Sequence, residues 1–133
     1  MYIFVTYSSY VASDISLAIM AQESLGNPRA IGPQGSIGLM QVNCADWMGI
    51  ECERLFDPEY NIAWGEWFLE EALEYSKGDL YVALQVYNCG PAKYEANEDC
   101  GSFYADRVMN YWMPMIEEEI EYDRTAFEAR LWR

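Results

Sequence analysis

The first strong hydrophobic pattern lies near the start of the chain. Residues 15–22 form an apolar run with helical character, and Glu23 and Ser24 follow it directly. Ser13 is a suitable N-cap, because its side chain can accept from the free N–H groups of the first turn. A Gly-Asn-Pro turn sequence comes after Leu25. The pattern predicts a helix that starts after Ser13 and ends at about Leu25.

Two further helices are indicated in the middle of the chain. An Asp-Pro pair at 57–58 is a helix start, with an N-cap and then a proline in the first turn. The helix behind it should run to about Ser76, with a broad apolar face. A Gly-Asp pair at 78–79 should end that helix and cap the next one, over about residues 80–88.

The C-terminal part predicts two more helical segments. Ser102 is a candidate cap for one helix, which Pro114 is expected to kink or end. The last helix covers 115–131, and its charge order suits the helix dipole because acidic residues come early and arginines late. Packing on the domain is expected, and partner binding is the alternative. Its apolar side consists of Ile116, Ile120, Phe127 and Leu131.

The segments between the helices predict little β-structure. Residues 26–37 and 89–101 are expected to be loops, and residues 38–48 to hold a short helix. The segment 1–11 is apolar and aromatic and is expected to be a strand or extended. The fold class is therefore mainly α: one compact helical domain over 1–133, with a minor N-terminal strand or a small hairpin.

Composition and charge exclude several classes of function. The 133 residues suffice for one domain with a core, and 52% are hydrophobic. A net charge of −14 argues against nucleic-acid binding, which needs lysine and arginine at phosphates. The chain has no histidine, which excludes Ser-His and Cys-His catalysis. No metal or organic cofactor is implied, no apolar run is long enough for a membrane span, and a monomer is expected.

The four cysteines suggest two disulfides. Three pairings are open, and the local one is the simplest, with Cys44 bonded to Cys52 and Cys89 to Cys100. A zinc site and four free thiols are the alternatives.

Glu23 is the candidate for acid chemistry. Most of the 22 acidic residues lie in charge clusters, whereas Glu23 follows an apolar helix and precedes a glycine-rich loop. Desolvation there would raise its pKa, and a carboxylic acid that is protonated near neutral pH can protonate a leaving oxygen.

Ordered motifs from Glu23 onwards resemble a known family. Glu23-Ser24 is followed by Asn-Pro-x-Ala at 27–30, by Gly-Leu-Met-Gln at 38–41, and by Val-Tyr-Asn at 86–88. Tyr104 and Val108 match a further Tyr and Val pair. The set resembles the soluble lytic transglycosylases, lysozyme-like enzymes that cut peptidoglycan, over about residues 13–108. The resemblance implies a lysozyme-like fold and an enzyme that acts on peptidoglycan glycan strands.

The resemblance also implies residue roles. Glu23 would be the single catalytic residue, first as an acid toward the MurNAc-GlcNAc β-1,4 bond and then as a base. The product would carry a 1,6-anhydromuramyl end. Six residues would bind substrate or position the acid, with Tyr87 hydrogen-bonded to Glu23 and Tyr104 completing the wall of the groove: Ser24, Met40, Gln41, Tyr87, Asn88 and Tyr104.

Plainer roles stay open for some of these residues. Ser24 could bond only the backbone, Met40 could be core packing, and Asn88 could be a helix C-cap. Phe103 and Tyr111 compete with Tyr104 for its role.

Departures from the family pattern concern the shape of the binding groove. Gly26 stands where the family often has an aromatic residue, and Val86 replaces the usual alanine before Tyr-Asn.

A net charge of −14 is also unexpected for an enzyme whose substrate is anionic.

Two other functions remain open. A muramidase on the same scaffold would hydrolyse the bond with water, and it would need a second carboxylate, for which Asp46 and Glu51 are the nearest candidates. A non-catalytic glycan-binding or virion module is the third option.

The expected location is extracellular or periplasmic, at the cell envelope. The first eleven residues contain no lysine or arginine and make a poor signal peptide. A phage enzyme that is released at lysis would fit this feature, and so would the mature form of a secreted bacterial enzyme.

Overall fold

The computed structural model describes residues 6–131, without the side chains of Asp46 and Phe127. Its helices are α1 (Asp14–Ser24), α2 (Pro58–Tyr75), α3 (Leu80–Cys89), α4 (Pro91–Ala96), α5 (Ser102–Arg107) and α6 (Met113–Leu131). Strands β1 (Ser36–Ile37) and β2 (Val42–Asn43) form a small antiparallel hairpin. Short 3₁₀ turns cover Ser8–Tyr10, Asp46–Met48 and Cys52–Phe56. The predicted fold class, mainly α with a small hairpin, is confirmed.

Helix α1 is the centre of the core. Its residues 16–21 are buried, and α2 and α6 pack against it. A helix surrounded in this way must be apolar on nearly every side, which the sequence of α1 is. The buried hydroxyl of Ser16 is satisfied, since it donates a 2.8 Å hydrogen bond to the Glu66 carboxylate on α2. Helix α1 is therefore fixed in the core, with Glu23 in its last turn.

The predicted starts of α2 and α3 are confirmed. The Asp57 side chain accepts a hydrogen bond from the Tyr60 amide at 3.0 Å, and the Asp79 side chain accepts one from Val82 at 3.2 Å. Ser13 is the N-cap residue of α1, although its side chain makes no capping hydrogen bond.

The short helix expected within 38–48 is found as a 3₁₀ turn over Asp46–Met48, and the rest of the segment is not helical. This segment forms the hairpin turn, β2 and a 3₁₀ turn. Gly38 and Gln41 have left-handed backbones, with φ of 77° and 52°, which an α-helix does not accept. Gly38 is required, because a Cβ atom there would collide with the Asn61 side chain and the Leu55 carbonyl. The predicted loop over 26–37 ends in β1, which pairs Ser36 with Asn43.

The predicted loop over 89–101 is also partly wrong, because it contains α4. Pro91 is the first residue of α4, where a missing N–H costs nothing.

The C-terminal helices differ from the prediction at their boundaries. Ser102 is the first residue of α5 rather than its cap, which is Gly101. Pro114 does not end the helical structure: a π-helical turn over 108–112 joins α5 to α6, and Pro114 lies in the first turn of α6. The last helix begins at Met113, two residues before the predicted start, and Ile116 packs in the core while Leu131 is exposed.

The N-terminal strand is not found in the described residues. Residues 6–10 are helical, and residues 1–5 lie outside the description. Among residues 6–131 there is no helix with the length and apolar character that crossing a membrane requires.

Candidate active site

An open cleft of about 990 Å³ lies beside the end of α1. One side is formed by the hairpin and the 3₁₀ turn after it, and the other by α2, the end of α3 and α4. Of the residues predicted to be catalytic, to bind substrate or to position the acid, four line this cleft: Glu23, Gln41, Tyr87 and Asn88.

Glu23 is partly buried in the last turn of α1. Burial raises its pKa from 4.5 to about 7, and the neighbouring Tyr104 hydroxyl opposes this rise. A carboxyl of this kind is protonated in a large fraction of molecules near neutral pH, and it can also lose its proton there. Glu23 can therefore act as an acid and as a base at one pH.

Tyr104, a residue of α5, lies beside Glu23 and is 6% exposed. Its hydroxyl has no partner with full hydrogen-bond geometry in the described part of the chain, yet it is near enough to Glu23 to lower that group's pKa. We interpret the contact as a weak hydrogen bond. Burial and the Glu23 charge raise the pKa of Tyr104 well above its ordinary value, so it stays a donor. Phe103 and Tyr111 are 74% and 44% exposed, so Tyr104 is the one of these three aromatic residues that contacts the acid.

Two of the roles predicted for residues around the acid are wrong. Tyr104 is buried and is not part of the cleft lining, so it does not complete the wall of the groove. The hydroxyl of Tyr87 does not bond Glu23 but donates to the Met40 carbonyl at 2.8 Å. The rings of Tyr87 and Tyr104 stack with centroids 6.4 Å apart. The two tyrosines thus have different roles: Tyr87 holds the hairpin turn, and Tyr104 contacts the acid.

Ser24 connects the acid's helix to the hairpin. Its hydroxyl lies 2.8 Å from the Leu39 carbonyl and 3.1 Å from the Met20 carbonyl, and it accepts from the Gly26 amide. Its bonds all go to the backbone, and they fix the end of α1 against the hairpin turn.

Met40 is fully buried, so its predicted position along the groove is wrong and core packing is correct. Its side chain packs against Gly65 of α2, where a Cβ atom would come within 2.5 Å of the Met40 sulfur. Such a close approach of α2 to the hairpin turn requires glycine.

Gln41 and Asn88 present polar groups at the cleft. The Gln41 side-chain amide donates to the carbonyls of Ala30 and Gly38, at 3.2 and 3.0 Å, which fixes its orientation. Asn88 is exposed in the last turn of α3, and Gly90 is the C-cap there instead.

Asn61 is a supporting residue that the sequence reasoning missed. It is fully buried on α2; its side-chain oxygen accepts from the Met40 amide at 2.8 Å, and its NH₂ group donates to the carbonyls of Ile37 and Leu55. A signal was present: Asn61 shares a helix face with Gly65 and Leu69, at i, i+4 and i+8, and a polar residue on a buried face needs partners.

The carboxylates of the cleft differ from those proposed for a hydrolase. Glu51 is exposed and pairs with Arg54 at 2.6 Å, away from the cleft lining. The side chain of Asp46 lies outside the description. Among the described side chains, the second carboxylate that lines the cleft is Glu71 on α2.

Both disulfides have the local pairing. Cys44 bonds Cys52 and Cys89 bonds Cys100, with Cα atoms 5.2 and 6.3 Å apart. All four thiols are thus consumed, and neither the zinc site nor the free thiols are adopted. Residues 6–131 contain no group of three acidic or cysteine side chains arranged to hold a metal.

These features define a small helical domain with one readily protonated carboxyl in an open cleft. The family model described as "Transglycosylase SLT domain" matches residues 2–107, and the chain belongs to this family. The resemblance seen in the sequence motifs is confirmed.

A curated protein is similar to this chain in sequence, and a solved structure is similar to it in fold. The chain is 36% identical over 72 residues to a protein named "Transglycosylase" from Enterobacteria phage PRD1. The aligned region covers 54% of this chain and 27% of the phage protein. The fold is similar to that of the 70 kDa soluble lytic transglycosylase of Escherichia coli, with a TM-score of 0.58 and 23% identity over 86% of this chain and 22% of that one. The chain thus spans about a quarter of the length of each protein.

Proposed function

We propose that the chain is a peptidoglycan lytic transglycosylase, with Glu23 as its single catalytic residue. The observation that carries the proposal is the partly buried Glu23 carboxyl, with a pKa of about 7, beside an open cleft. Membership of the transglycosylase SLT domain family and the similarity to a named phage transglycosylase support the same reaction class.

The proposed reaction has two proton transfers, both through Glu23. The protonated carboxyl gives its proton to the glycosidic oxygen, and the bond from that oxygen to the muramyl C1 breaks. The Glu23 carboxylate then removes the proton of the muramyl C6 hydroxyl, whose oxygen bonds C1 and closes a 1,6-anhydro ring. Glu23 ends protonated, as it began, and no water is consumed. The substrate's N-acetyl group can assist at C1, so no second carboxylate is required.

Neighbouring residues would position the acid and the substrate. Ser24 and Tyr87 hold the hairpin turn against α1 and α3, and Tyr104 moderates the pKa of Glu23. Gln41 and Asn88 offer hydrogen-bonding groups to the sugar from the cleft wall.

A hydrolytic muramidase is the second candidate, and the position of Glu71 favours it. Glu71 is a carboxylate in the same cleft as Glu23, and an inverting or retaining hydrolase uses two such groups.

Mass spectrometry of products released from purified peptidoglycan separates these functions. We expect anhydromuropeptides from the wild type and from Glu71→Gln, and none from Glu23→Gln. Reducing-end products, heavier by one water, that disappear in Glu71→Gln would establish the hydrolase instead. No product from the folded wild type would favour a binding module.

We also propose that the chain acts outside the cytoplasm, where peptidoglycan lies. The two disulfides fit an oxidising compartment. A phage enzyme that reaches the wall at lysis is consistent with the phage relative.

A further inference from the structure

The cleft contains one of the few basic residues of a strongly acidic chain. The net charge is −14, and the only lysines in the sequence are Lys77 and Lys93. Lys93 is the one basic residue in the described lining of the cleft, where the acidic ones are Glu23 and Glu71. One of two lysines thus lies at the proposed substrate site.

The segment that carries Lys93 is fixed to the domain. Lys93 lies on α4, inside the loop that the Cys89–Cys100 disulfide closes. The buried Gln85 amide donates to the carbonyls of Glu98 and Cys100, at 2.7 and 3.1 Å. A lysine on such an anchored segment loses less backbone freedom when it binds a ligand.

The ammonium group of Lys93 is available to a ligand. Lys93 is exposed and forms no ion pair with any residue in the described range 6–131. Its acidic neighbour on α4, Glu95, accepts a 2.6 Å hydrogen bond from the Tyr75 hydroxyl of α2. Residues two apart on a helix do not face each other, so Glu95 is not positioned to neutralise Lys93.

Peptidoglycan carries the complementary charge. Each muramyl sugar bears either a free lactyl carboxylate or a peptide with carboxylates of its own. The sugar rings themselves are uncharged, so a cation in the cleft distinguishes substituted muramyl residues from plain glycan.

We propose that Lys93 is a specificity-determining residue that binds a carboxylate on the muramyl substituent. The proposal rests on the proposed function, since it assumes a peptidoglycan strand in the cleft. It accounts for the presence of a lysine at this position in a chain that otherwise repels anions.

Binding measurements in a Glu23→Gln background test the proposal even if no product is ever formed. The ligands are soluble peptidoglycan fragments with intact peptides, fragments with amidated peptide carboxylates, and glycan fragments stripped of peptides. Calorimetry gives a dissociation constant for the parent and for three added changes: Lys93→Gln, Lys93→Arg and Lys77→Gln. Lys77 is the matched control, because it lies in the turn after α2, outside the cleft lining.

We expect Lys93→Gln to raise the dissociation constant about two- to five-fold, as for an exposed ion pair. Lys93→Arg should restore most of the affinity, Lys77→Gln should change nothing, and about 1 M salt should remove the difference. Loss of the effect on amidated fragments assigns the carboxylate to the peptide, whereas an effect confined to stripped fragments assigns it to the lactyl group.

Equal affinity of the parent and Lys93→Gln for all three ligands would overturn the proposal, as would no binding by the folded parent. In active protein, Lys93→Gln should raise KM and leave kcat unchanged, which a merely structural role would not do. If the wild type forms no anhydro product while Lys93 still governs binding, the proposed reaction fails and the Lys93 inference stands.

Discussion

The hydroxyl of Tyr87 donates a 2.8 Å hydrogen bond to the backbone carbonyl of Met40. This contact joins the last turns of α3 to the hairpin turn across 47 positions of sequence. The Met40 amide is bound from the other side, by Asn61 of α2. The hairpin turn beside the proposed acid is therefore held between two helices.

Removal of the Tyr87 hydroxyl should weaken this connection. In Tyr87→Phe the Met40 carbonyl loses its donor, and the free energy of unfolding should fall by about 1–2 kcal/mol. We expect a lower kcat as well, since the turn borders Glu23. Urea unfolding and product formation measure the two effects. Tyr122→Phe, at an exposed position of α6, is the control; equal losses in both variants would contradict the role of this bond.

The buried acid should make stability depend on pH in a defined direction. Glu23 has a pKa of about 7 when folded and near 4.5 when unfolded, so the folded chain binds its proton more tightly. The protonated Glu23 carboxyl therefore contributes its full share to the free energy of unfolding below pH 4.5. This contribution, about 3 kcal/mol, is lost as the pH rises toward 7.

Glu23→Gln removes that dependence. Relative to the wild type, the variant should gain stability between pH 5 and pH 8, as measured by urea unfolding at both values. Glu70→Gln, on the exposed side of α2, reports the effect of losing a surface carboxylate. A Glu23→Gln difference that is the same at both pH values would show that Glu23 is not buried as described.

The Tyr104 hydroxyl should set the upper pH limit of activity. Because this hydroxyl lowers the pKa of Glu23, Tyr104→Phe should raise that pKa further and keep the acid protonated to higher pH. The alkaline half-point of kcat/KM should move upward. Tyr111→Phe, at a partly exposed neighbouring tyrosine, should leave the profile in place. A downward shift in Tyr104→Phe would refute the interpretation.

The Asn61 side chain should be among the most sensitive polar positions. Asn61→Ala leaves the Met40 amide and the carbonyls of Ile37 and Leu55 without this partner. Loss of these three hydrogen bonds, two of which are fully buried, should cost about 3 kcal/mol or more in unfolding free energy. Thermal and urea unfolding test this against Asn110→Ala, whose side chain makes one exposed bond to Asp106. Similar small losses in both would be inconsistent with the buried network.

The Cys89–Cys100 disulfide should matter for both stability and binding. The double variant Cys89→Ser/Cys100→Ser should lose about 2–3 kcal/mol of stability, because the unfolded chain gains freedom. Its KM should also rise, because α4 forms part of the cleft wall. The control is Cys44→Ser/Cys52→Ser, which removes the other disulfide and leaves the loop that contains α4 closed by the Cys89–Cys100 bond. If both double variants have the wild-type KM, the loop is not needed to shape the cleft.

The sequence by itself determined the features that depend on local chemistry. The starts of α2 and α3 follow from Asp57 and Asp79, whose side chains bond amides three residues away. The burial of α1 follows from its unbroken apolar run, and the position of Glu23 at its end follows with it. The local disulfide pairing was the simplest of the three that the sequence left open, and the structure adopts it.

Only the tertiary structure decided which side chains meet at the acid. Tyr87 bonds Met40 instead of Glu23, Met40 packs on Gly65, and Lys93 reaches the cleft, because separate segments are packed together in three dimensions. No local rule favours these contacts, since each joins residues that lie far apart in the chain. Their geometry depends on how α1, α2 and α3 pack around the hairpin, and the energy of that packing is shared among all of them.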